Sequence, residues 1–219
     1  MYDLDTTVSH LDQFLAGASV TLLVSAQGAL LGVALGFGLL LLRAAPWRAV
    51  RWIARAYVSF IRGTPLLVQI LFVYYALPGL TGLDVPAFAA GVMALGANSG
   101  AFTSEILRGG LSAIAPGQFE AACALGLSRF HTWSRVIVPQ LMRLILPPLL
   151  NELTTLVKAS ALLSVITVVE LTRTAQDVMN TTYRPLGALL VAAATYFVML
   201  FALSRGASVM ERRQSQVRP

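Results

Sequence analysis

The chain has 219 residues, of which 57% are hydrophobic and only 12% are charged. Because soluble domains carry about 25% charged residues, this composition excludes an ordinary soluble protein and predicts one integral membrane domain over residues 1–219. The net charge of +6 does not indicate nucleic-acid binding, because the basic residues cluster beside apolar segments, where they orient membrane proteins.

Five apolar segments are predicted to be transmembrane helices, since about 20 helical residues cross the hydrocarbon core of a bilayer. They cover residues 16–42, 64–80, 87–107, 143–172 and 186–203. The predicted fold class is therefore all-α integral membrane, with five spans.

The first segment carries a stripe of small residues, in which Gly28, Gly32 and Gly36 recur every four positions. Such a stripe lets two helix backbones approach closely, and we expect it to pack against a neighbouring helix of the same chain. In the fourth segment, Pro147 and Pro148 are expected to break the helix near its start.

The distribution of Lys and Arg predicts the orientation. One side holds thirteen of the 16 basic residues: 43, 48, 51, 55, 62, 108, 129, 135, 143, 205, 212, 213 and 218. Arg173 and Arg184 fall on the other side, and Lys158 lies inside the fourth segment. The positive-inside rule then places the N-terminus outside, the C-terminus inside and residues 108–141 in the cytoplasm.

Two short polar regions follow from this orientation. Basic and aromatic residues after the first segment are interpreted as an interfacial cytoplasmic loop that contacts lipid headgroups: Arg43, Trp47, Arg48, Arg51, Trp52 and Arg55. Near the inner end of the third segment, Glu105 is expected to pair with Arg108 at headgroup level rather than to bind a substrate.

The predicted cytoplasmic stretch, residues 108–141, contains residues that are typical of the starts and ends of two short helices. Pro116 suits the first turn of a helix, and Glu120 suits the positive end of the helix dipole. Gly126 can adopt the left-handed conformation that ends a helix, and Ser128 can cap a second short helix that ends at Pro139. We therefore expect a helix, a tight turn and a helix, with small residues that fit a groove in another protein: Ala121, Ala122 and Ala124.

This stretch resembles the EAA loop in permease subunits of bacterial ATP-binding cassette (ABC) importers. The resemblance rests on Glu120-Ala121-Ala122, followed after three residues by Gly126 and after nine more by Val136-Ile137-Val138-Pro139. Further blocks are similar to the polar amino-acid uptake branch of that family: residues 60–69 (FIRGTPLLVQ), 104–110 (SEILRGG), 117–118 (GQ), 156–158 (LVK) and 169–172 (VELT). The resemblance covers roughly residues 15–205. It is imperfect at residues 158–162, which read KASAL where that branch often has Lys-Asp-Thr-Ser-Leu.

The resemblance implies a type I ABC importer permease in a bacterial inner membrane, which imports a polar amino acid or a close relative. The loop would be the coupling helix that docks on an ATP-hydrolysing subunit, through Gln118, Glu120, Ala121, Ala122 and Gly126. Because the chain has no G-x-x-x-x-G-K-[ST] pattern, ATP and Mg²⁺ are expected on that partner, with no cofactor or metal in this chain. The implied partners are two ATP-binding subunits, a second permease that is identical or paralogous, an extracytoplasmic binding protein and membrane lipid.

A substrate site is expected within the bundle. Four residues of the fourth segment share one helix face: Asn151, Thr155, Lys158 and Leu162. Glu152 borders that face, while Asn98 and Ser99 come from the middle of the third segment. Polar residues at that depth face the bundle interior or a cavity, so Asn98, Ser99, Glu152, Thr155 and Lys158 are the candidate substrate ligands. The alternative, a structural polar network, stays open for Glu152 and Asn98 and is preferred for Lys158, which lies nearer the outer end.

No catalytic centre is expected. His10 and His131 fall on opposite sides of the predicted membrane, and no Cys/His spacing is typical of a metal site. The alternatives to amino-acid import are import of another small solute by the same machinery and a non-transporting membrane adaptor. The polar residues inside the third and fourth segments argue against the adaptor, which needs no polar face at mid-membrane.

Overall fold

The computed structural model describes the backbone of residues 10–215 and the side chains of residues 10–208. Eight helices occupy the described range: α1 (Leu11–Ala44), α2 (Arg48–Gly63), α3 (Leu66–Thr81), α4 (Ala87–Ser112), α5 (Pro116–Ala124), α6 (Arg129–Ile166), α7 (Leu171–Thr182) and α8 (Pro185–Ser215). No strand occurs between residues 10 and 215, so the all-α prediction is confirmed.

The helix pair α1 and α4 forms the centre of the bundle and makes its most extensive contact. A Cβ atom at Gly32 would lie 2.7 Å from the Cβ and Oγ atoms of Ser99, and one at Gly36 would lie 2.6 Å from Thr103. Only glycine permits so close an approach of the two backbones. The prediction that this stripe packs against a helix of the same chain is confirmed.

The apolar core has two main parts. One lies where α1, α3, α4 and the outer half of α6 meet, around Val24, Ile70, Leu95 and Leu156. The other joins the start of α1 to α7 and α8 and includes Phe14, Leu171 and Ala188. Burying these side chains holds the helices together within the chain, because the two clusters draw on α1, α3, α4, α6, α7 and α8.

The predicted interfacial loop between the first and second segments is wrong, because these residues form the helix α2. Its buried residues Ala54, Val58 and Ile61 recur at i, i+4 and i+7, which is the period of an amphipathic helix. The exposed Trp47 and Trp52 stand at the start of this helix. The helix was not predicted because the arginines also suit a loop at the membrane surface. Their spacing along one side of α2 is nevertheless the spacing that an amphipathic helix requires.

A sharp break separates α2 from α3, which meet at an angle of 111°. Pro65 disfavours helix in the residue before it, and Thr64 and Pro65 are both extended. The buried Gln69 side chain donates hydrogen bonds to the backbone oxygens of Ile61 (2.8 Å) and Thr64 (3.2 Å). Backbone groups freed by a break inside a membrane need such partners, so Gln69 stabilises the bend.

Helix α6 differs from prediction at its start and its middle. The short helix expected to end at Pro139 continues into the fourth segment, and the chain stays helical through Pro147 and Pro148. A π-helical stretch, Thr132–Ile137, precedes Pro139 and adjusts the hydrogen bonds around its missing N–H. Neighbouring helices and local adjustments let membrane helices tolerate prolines, so the predicted break does not occur.

The fourth segment also ends earlier than residue 172. It tightens into a 3₁₀ helix over Ser160–Ile166 and turns at Thr167, which has a φ of 64°. Glu170 then starts α7, because its carboxylate accepts hydrogen bonds from the N–H groups of Thr172 and Arg173, both at 2.8 Å. The single predicted span 143–172 is therefore wrong at this end, where a separate helix begins.

By length and composition, three helices are able to cross a membrane, namely α1, α6 and α8, and the bent pair α2–α3 adds a fourth candidate. Helix α4 has 26 residues and lies at the bundle centre, where it packs on α1, α2, α3 and α6, and its Asn, Ser and Thr residues make it less apolar. The prediction of five spans needs α4 as the fifth. That number and the orientation of the termini remain predictions.

Candidate functional site: helix α5 and the polar face of α6

Helix α5 begins and ends as its residues predict. It runs from Pro116 to Ala124, and Gly126 is left-handed with a φ of 69°. The N–H groups of Gly126 and Leu127 bond to the carbonyls of Cys123 and Ala122, both at 3.0 Å, which is the Schellman arrangement. These bonds fix the turn in one geometry.

The next helix starts at Ser128, whose hydroxyl accepts a hydrogen bond from the N–H of His131 at 3.4 Å. The Phe119 ring packs edge-on against Trp133 across the turn, with ring centroids 6.1 Å apart. The predicted arrangement of helix, tight turn and helix is thus present, although the second helix is the start of α6 rather than a separate element.

Helix α5, the turn at Gly126 and the start of α6 up to Ile137 together form a knob. Four of the five predicted coupling residues lie at the surface of this knob. Gln118, Glu120, Ala121 and Gly126 are exposed, while Ala122 is buried and packs inward. Leu125 adds an apolar tip that is 79% exposed, and Phe130 adds another. An exposed surface of small residues with two large apolar side chains beside it is suited to docking in a groove of another protein.

Two contacts connect the knob to the bundle. The Gln140 side chain on α6 donates a hydrogen bond to the Gln118 side chain at the start of α5 (3.1 Å) and another to the Val136 carbonyl (2.9 Å). On the other side, α5 follows directly on α4 through residues 113–115. Helix α5 is therefore joined to both α4 and α6.

The inner ends of α1, α2 and α4 are joined by one carboxylate. Glu105 forms ion pairs with Arg43 and with Arg108 (2.8 Å), and Arg62 lies 3.9 Å from it. The expected pairing of Glu105 with Arg108 is present, and Arg43 and Arg62 extend it to two further helices. This cluster holds three helix ends together, as a structural ion-pair network.

A polar face runs along the outer half of α6. Asn151, Thr155 and Lys158 are all exposed, while Leu156 and Val157 on the opposite side are buried. Three of the four residues of the expected face are thus exposed together, while the fourth, Leu162, is half-buried and packs against the core.

The other three candidates lie deeper, with Asn98 and Ser99 on different sides of α4 and Glu152 on α6. Ser99 is buried against α1 and approaches the half-buried Glu152 carboxylate on α6. Asn98 instead donates a hydrogen bond from its amide to the Gln69 Oε1 atom (3.0 Å), as part of the network at the α2–α3 bend. The structure therefore brings Ser99 and Glu152 together beside the polar face, and it fits the structural alternative for Asn98.

Sequence reasoning missed two polar residues that organise this region. Gln69 was noted only within a block of residues, although a Gln four residues after a Thr-Pro break is placed to satisfy the freed carbonyls. Glu170 is fully buried, and its carboxylate also accepts a hydrogen bond from the Tyr196 hydroxyl on α8 (2.9 Å). Glu is not among the residues usually preferred at an N-cap, so the sequence carried no standard signal for the start of α7.

The profile of one protein family, described as "Binding-protein-dependent transport system inner membrane component", matches residues 28–216. The chain belongs to this family. It is a multi-pass inner-membrane permease subunit of an ABC importer, and the family places ATPase activity in a separate subunit and substrate capture in a binding protein. The permease assignment implied by the EAA-like loop is confirmed.

The permease is similar to several transport proteins over nearly its whole length. It is 38% identical to GlnP of Rickettsia conorii, a protein named for glutamine transport, over 197 residues and 90% of each chain. It is 37% identical to the arginine transport system permease protein ArtQ of Bacillus subtilis, over 211 residues and 96% of each chain. A crystal structure of an amino acid ABC transporter with histidines matches it at a TM-score of 0.91 and 39% identity, covering 97% of this chain and 99% of that one.

Proposed function

We propose that this permease imports a polar amino acid or a close relative, working with a second permease subunit, two ATP-binding subunits and an extracytoplasmic binding protein. ATP and Mg²⁺ are bound by the ATP-binding subunits. The proposed substrate class is supported by relatives named for glutamine and arginine transport and by the similar amino acid transporter of known structure.

One observation carries the proposed pathway, namely the exposed polar face of α6. A charged side chain in the bilayer costs at least ~2.5 kcal/mol, so Lys158 is unfavourable against lipid. No carboxylate among residues 10–208 lies within ion-pair distance of it. Facing a second permease across a water-filled passage, Asn151, Thr155 and Lys158 are hydrated and available to the charged groups of an amino acid.

Glu152 and Ser99 complete this proposed passage at a deeper level. Their contact joins α6 to α4, so that a change in the packing of the two helices alters the geometry of the passage. Asn98 contributes to the wall of the passage only indirectly, because it bonds to Gln69 and so supports the α2–α3 bend.

The coupling step uses the knob formed by α5 and the start of α6. Closure of the two ATP-binding subunits pulls on Gln118, Glu120, Ala121 and Gly126 of each permease, while Ala122 anchors α5 to its own chain. Because Gln118 bonds to Gln140, the pull reaches α6, which carries the polar face. The two permeases then alternate between outward-facing and inward-facing states.

The test is ATP-driven uptake by the complex reconstituted in vesicles with its binding protein, measured over a panel of amino acids and other small solutes. Thr155→Val and Lys158→Met are expected to lower uptake at unchanged assembly. Thr195→Val is the matched control, because Thr195 is half-buried on α8 and its hydroxyl donates a hydrogen bond within its own helix, to the Val191 carbonyl. Uptake of an unrelated solute alone would overturn the substrate class, and normal uptake by Lys158→Met and Thr155→Val together would overturn the pathway.

A further inference from the structure

Helix α2 carries three stripes of residues along its length. One stripe is buried against the bundle and packs around Ala101 of α4. A second stripe is apolar but open, and its residues recur at i, i+4, i+7 and i+11: Ala49, Ile53, Ala56 and Phe60. A third stripe consists of arginines at i, i+3, i+7 and i+14: Arg48, Arg51, Arg55 and Arg62. The three stripes face in three different directions around the helix.

The helix α2 lies across the bundle rather than along it. Helix α3 runs back along the first half of α4, because Gln69 near its start bonds to Asn98 and only residues 82–86 separate its end from the start of α4. Helix α4 in turn runs alongside α1, a membrane-spanning candidate, through the glycine stripe. Since α2 meets α3 at 111°, it lies at nearly a right angle to these helices and close to the plane of the membrane.

Two contacts with α4 show where the edges of α2 point. The Tyr57 hydroxyl donates a hydrogen bond to the Ala97 carbonyl (2.9 Å). Arg62 places its guanidinium over the Phe102 ring, 5.4 Å from the ring centroid, and lies 3.9 Å from the Glu105 carboxylate. Because α4 runs from Ala97 to Glu105 towards its inner end, the arginine edge of α2 points to the side that the charge distribution places in the cytoplasm.

The apolar stripe lies on the opposite edge, towards the interior of the membrane. Ile53 and Phe60 are one turn before and one turn after Tyr57, so they share its edge, and they are 63% and 66% exposed. Arg55 is two turns before Arg62 and shares the other edge. Helix α2 thus presents apolar side chains towards the bilayer interior and arginines towards the cytoplasm.

Two of the arginines are available to a partner outside the chain. Arg48 and Arg55 are exposed, and neither forms an ion pair within residues 10–208, whose side chains the structure describes. The other two have contacts of their own, since Arg62 lies at the Glu105 cluster and Arg51 donates hydrogen bonds to backbone oxygens at the end of α1.

We propose that α2 is an interfacial helix that binds anionic phospholipid of the inner leaflet. The apolar stripe rests on the acyl chains, and Arg48 and Arg55 bind the phosphates and anionic headgroups. Helices with arginines on one face and large apolar side chains on another lie in the membrane surface in this way. Charge favours lipid over a second copy of the helix, because α2 has four arginines and no carboxylate, so two copies of it repel each other.

The tryptophans of the chain provide the test, which does not depend on the transported solute. Trp47 and Trp52 at the start of α2 are 71% and 66% exposed, and the third tryptophan is removed in Trp133→Phe. The full-length permease carrying this substitution is reconstituted in vesicles, and quenching of its fluorescence by acyl-brominated phosphatidylglycerol or phosphatidylcholine is titrated. We expect bromine near the headgroup to quench more than bromine near the chain end, and phosphatidylglycerol to bind at α2 about fivefold more tightly.

Substitutions of arginine separate the stripe from general surface charge. Arg48→Gln combined with Arg55→Gln is expected to reduce the preference for phosphatidylglycerol to less than about twofold. Either single variant repeats the test if the double variant does not fold. Arg205→Gln is the matched control, because it removes an exposed arginine of α8 on the same predicted side of the membrane, and the preference should persist.

Three results would overturn the proposal. The first is equal quenching by the two lipids, or an equal loss of preference in Arg205→Gln and in the double variant. The second is quenching by acrylamide in the aqueous phase but not by brominated lipid, which would place α2 outside the bilayer. The third is protection from both quenchers, which would show that a second permease copy covers the helix.

Discussion

Gln140 on α6 and Gln118 on α5 are 22 residues apart in sequence, yet the amide of one donates a hydrogen bond to the amide oxygen of the other at 3.1 Å. This is the described side-chain hydrogen bond that joins the proposed coupling helix to the helix that carries the polar face. The Gln140 amide also donates a hydrogen bond to the Val136 carbonyl, and this bond fixes the Gln140 side chain relative to the π-helical start of α6.

The first prediction concerns this pair. Gln140→Ala is expected to lower ATP-driven uptake about twofold to tenfold, the range that corresponds to a hydrogen bond of ~0.5–1.5 kcal/mol. The ATP-binding subunit should still co-purify, because Gln140 is not on the docking surface. If the bond transmits the motion, Gln140→Ala causes little further loss in a Gln118→Ala background, which already lacks the bond, whereas multiplied losses in the double variant would contradict the link.

The second prediction concerns Gly126, whose left-handed φ of 69° closes α5. A β-branched side chain is strained there by about 1–2 kcal/mol, so Gly126→Val should weaken binding of the ATP-binding subunit about five- to thirtyfold. Gly126→Asn is the control, because Asn tolerates the left-handed region. The affinity is measured by titrating the ATP-binding subunit onto the reconstituted permease, and equal affinities for Val and Asn would contradict this role of the turn.

The third prediction compares two glycines of α1. A Cβ atom at Gly32 would lie 2.7 Å from Ser99, so Gly32→Ala forces α1 from α4 and should lower stability by about 1–3 kcal/mol. At Gly38 an added Cβ meets nothing within 4 Å, and Gly38→Ala should be neutral or stabilising by up to ~1 kcal/mol. Thermal unfolding in detergent measures both, and a lower Tm for Gly38→Ala than for Gly32→Ala is the result that opposes the packing argument.

The fourth prediction concerns the buried N-cap of α7. Glu170→Ala leaves the N–H groups of Thr172 and Arg173 and the Tyr196 hydroxyl without the carboxylate, and should destabilise the permease by about 2–4 kcal/mol.

The loss of stability in Glu170→Ala should be accompanied by faster hydrogen exchange of the α7 backbone amides. Asp177→Asn serves as the control, because it breaks only a half-exposed ion pair with Arg173 on the same helix and should change stability by less than ~1 kcal/mol. Unchanged exchange in Glu170→Ala would mean that packing alone holds α7.

The starts and ends of α5 and α6 could be predicted from the sequence, because they depend on residues only a few positions apart. Pro116, Gly126 and Ser128 each act on their own backbone, and all three do in the structure what the sequence predicts. The periodicity of α2 was equally local but was outweighed by its arginines and tryptophans, which also suit a loop at the membrane surface. Glu170 was missed because a buried carboxylate is stable only through partners on α7 and α8, which no local pattern reveals.

The sequence by itself determined the membrane class, the helix α5 with its tight turn and the polar face of α6, since composition, helix-capping residues and helical period need no tertiary contacts. Only the tertiary structure decided which polar residues act together. It joined Asn98 to Gln69, Ser99 to Glu152 and Gln118 to Gln140, pairs that lie between 22 and 53 positions apart. Their proximity depends on how the α2–α3 bend and the glycine stripe place whole helices, and that placement is a property of the packed bundle.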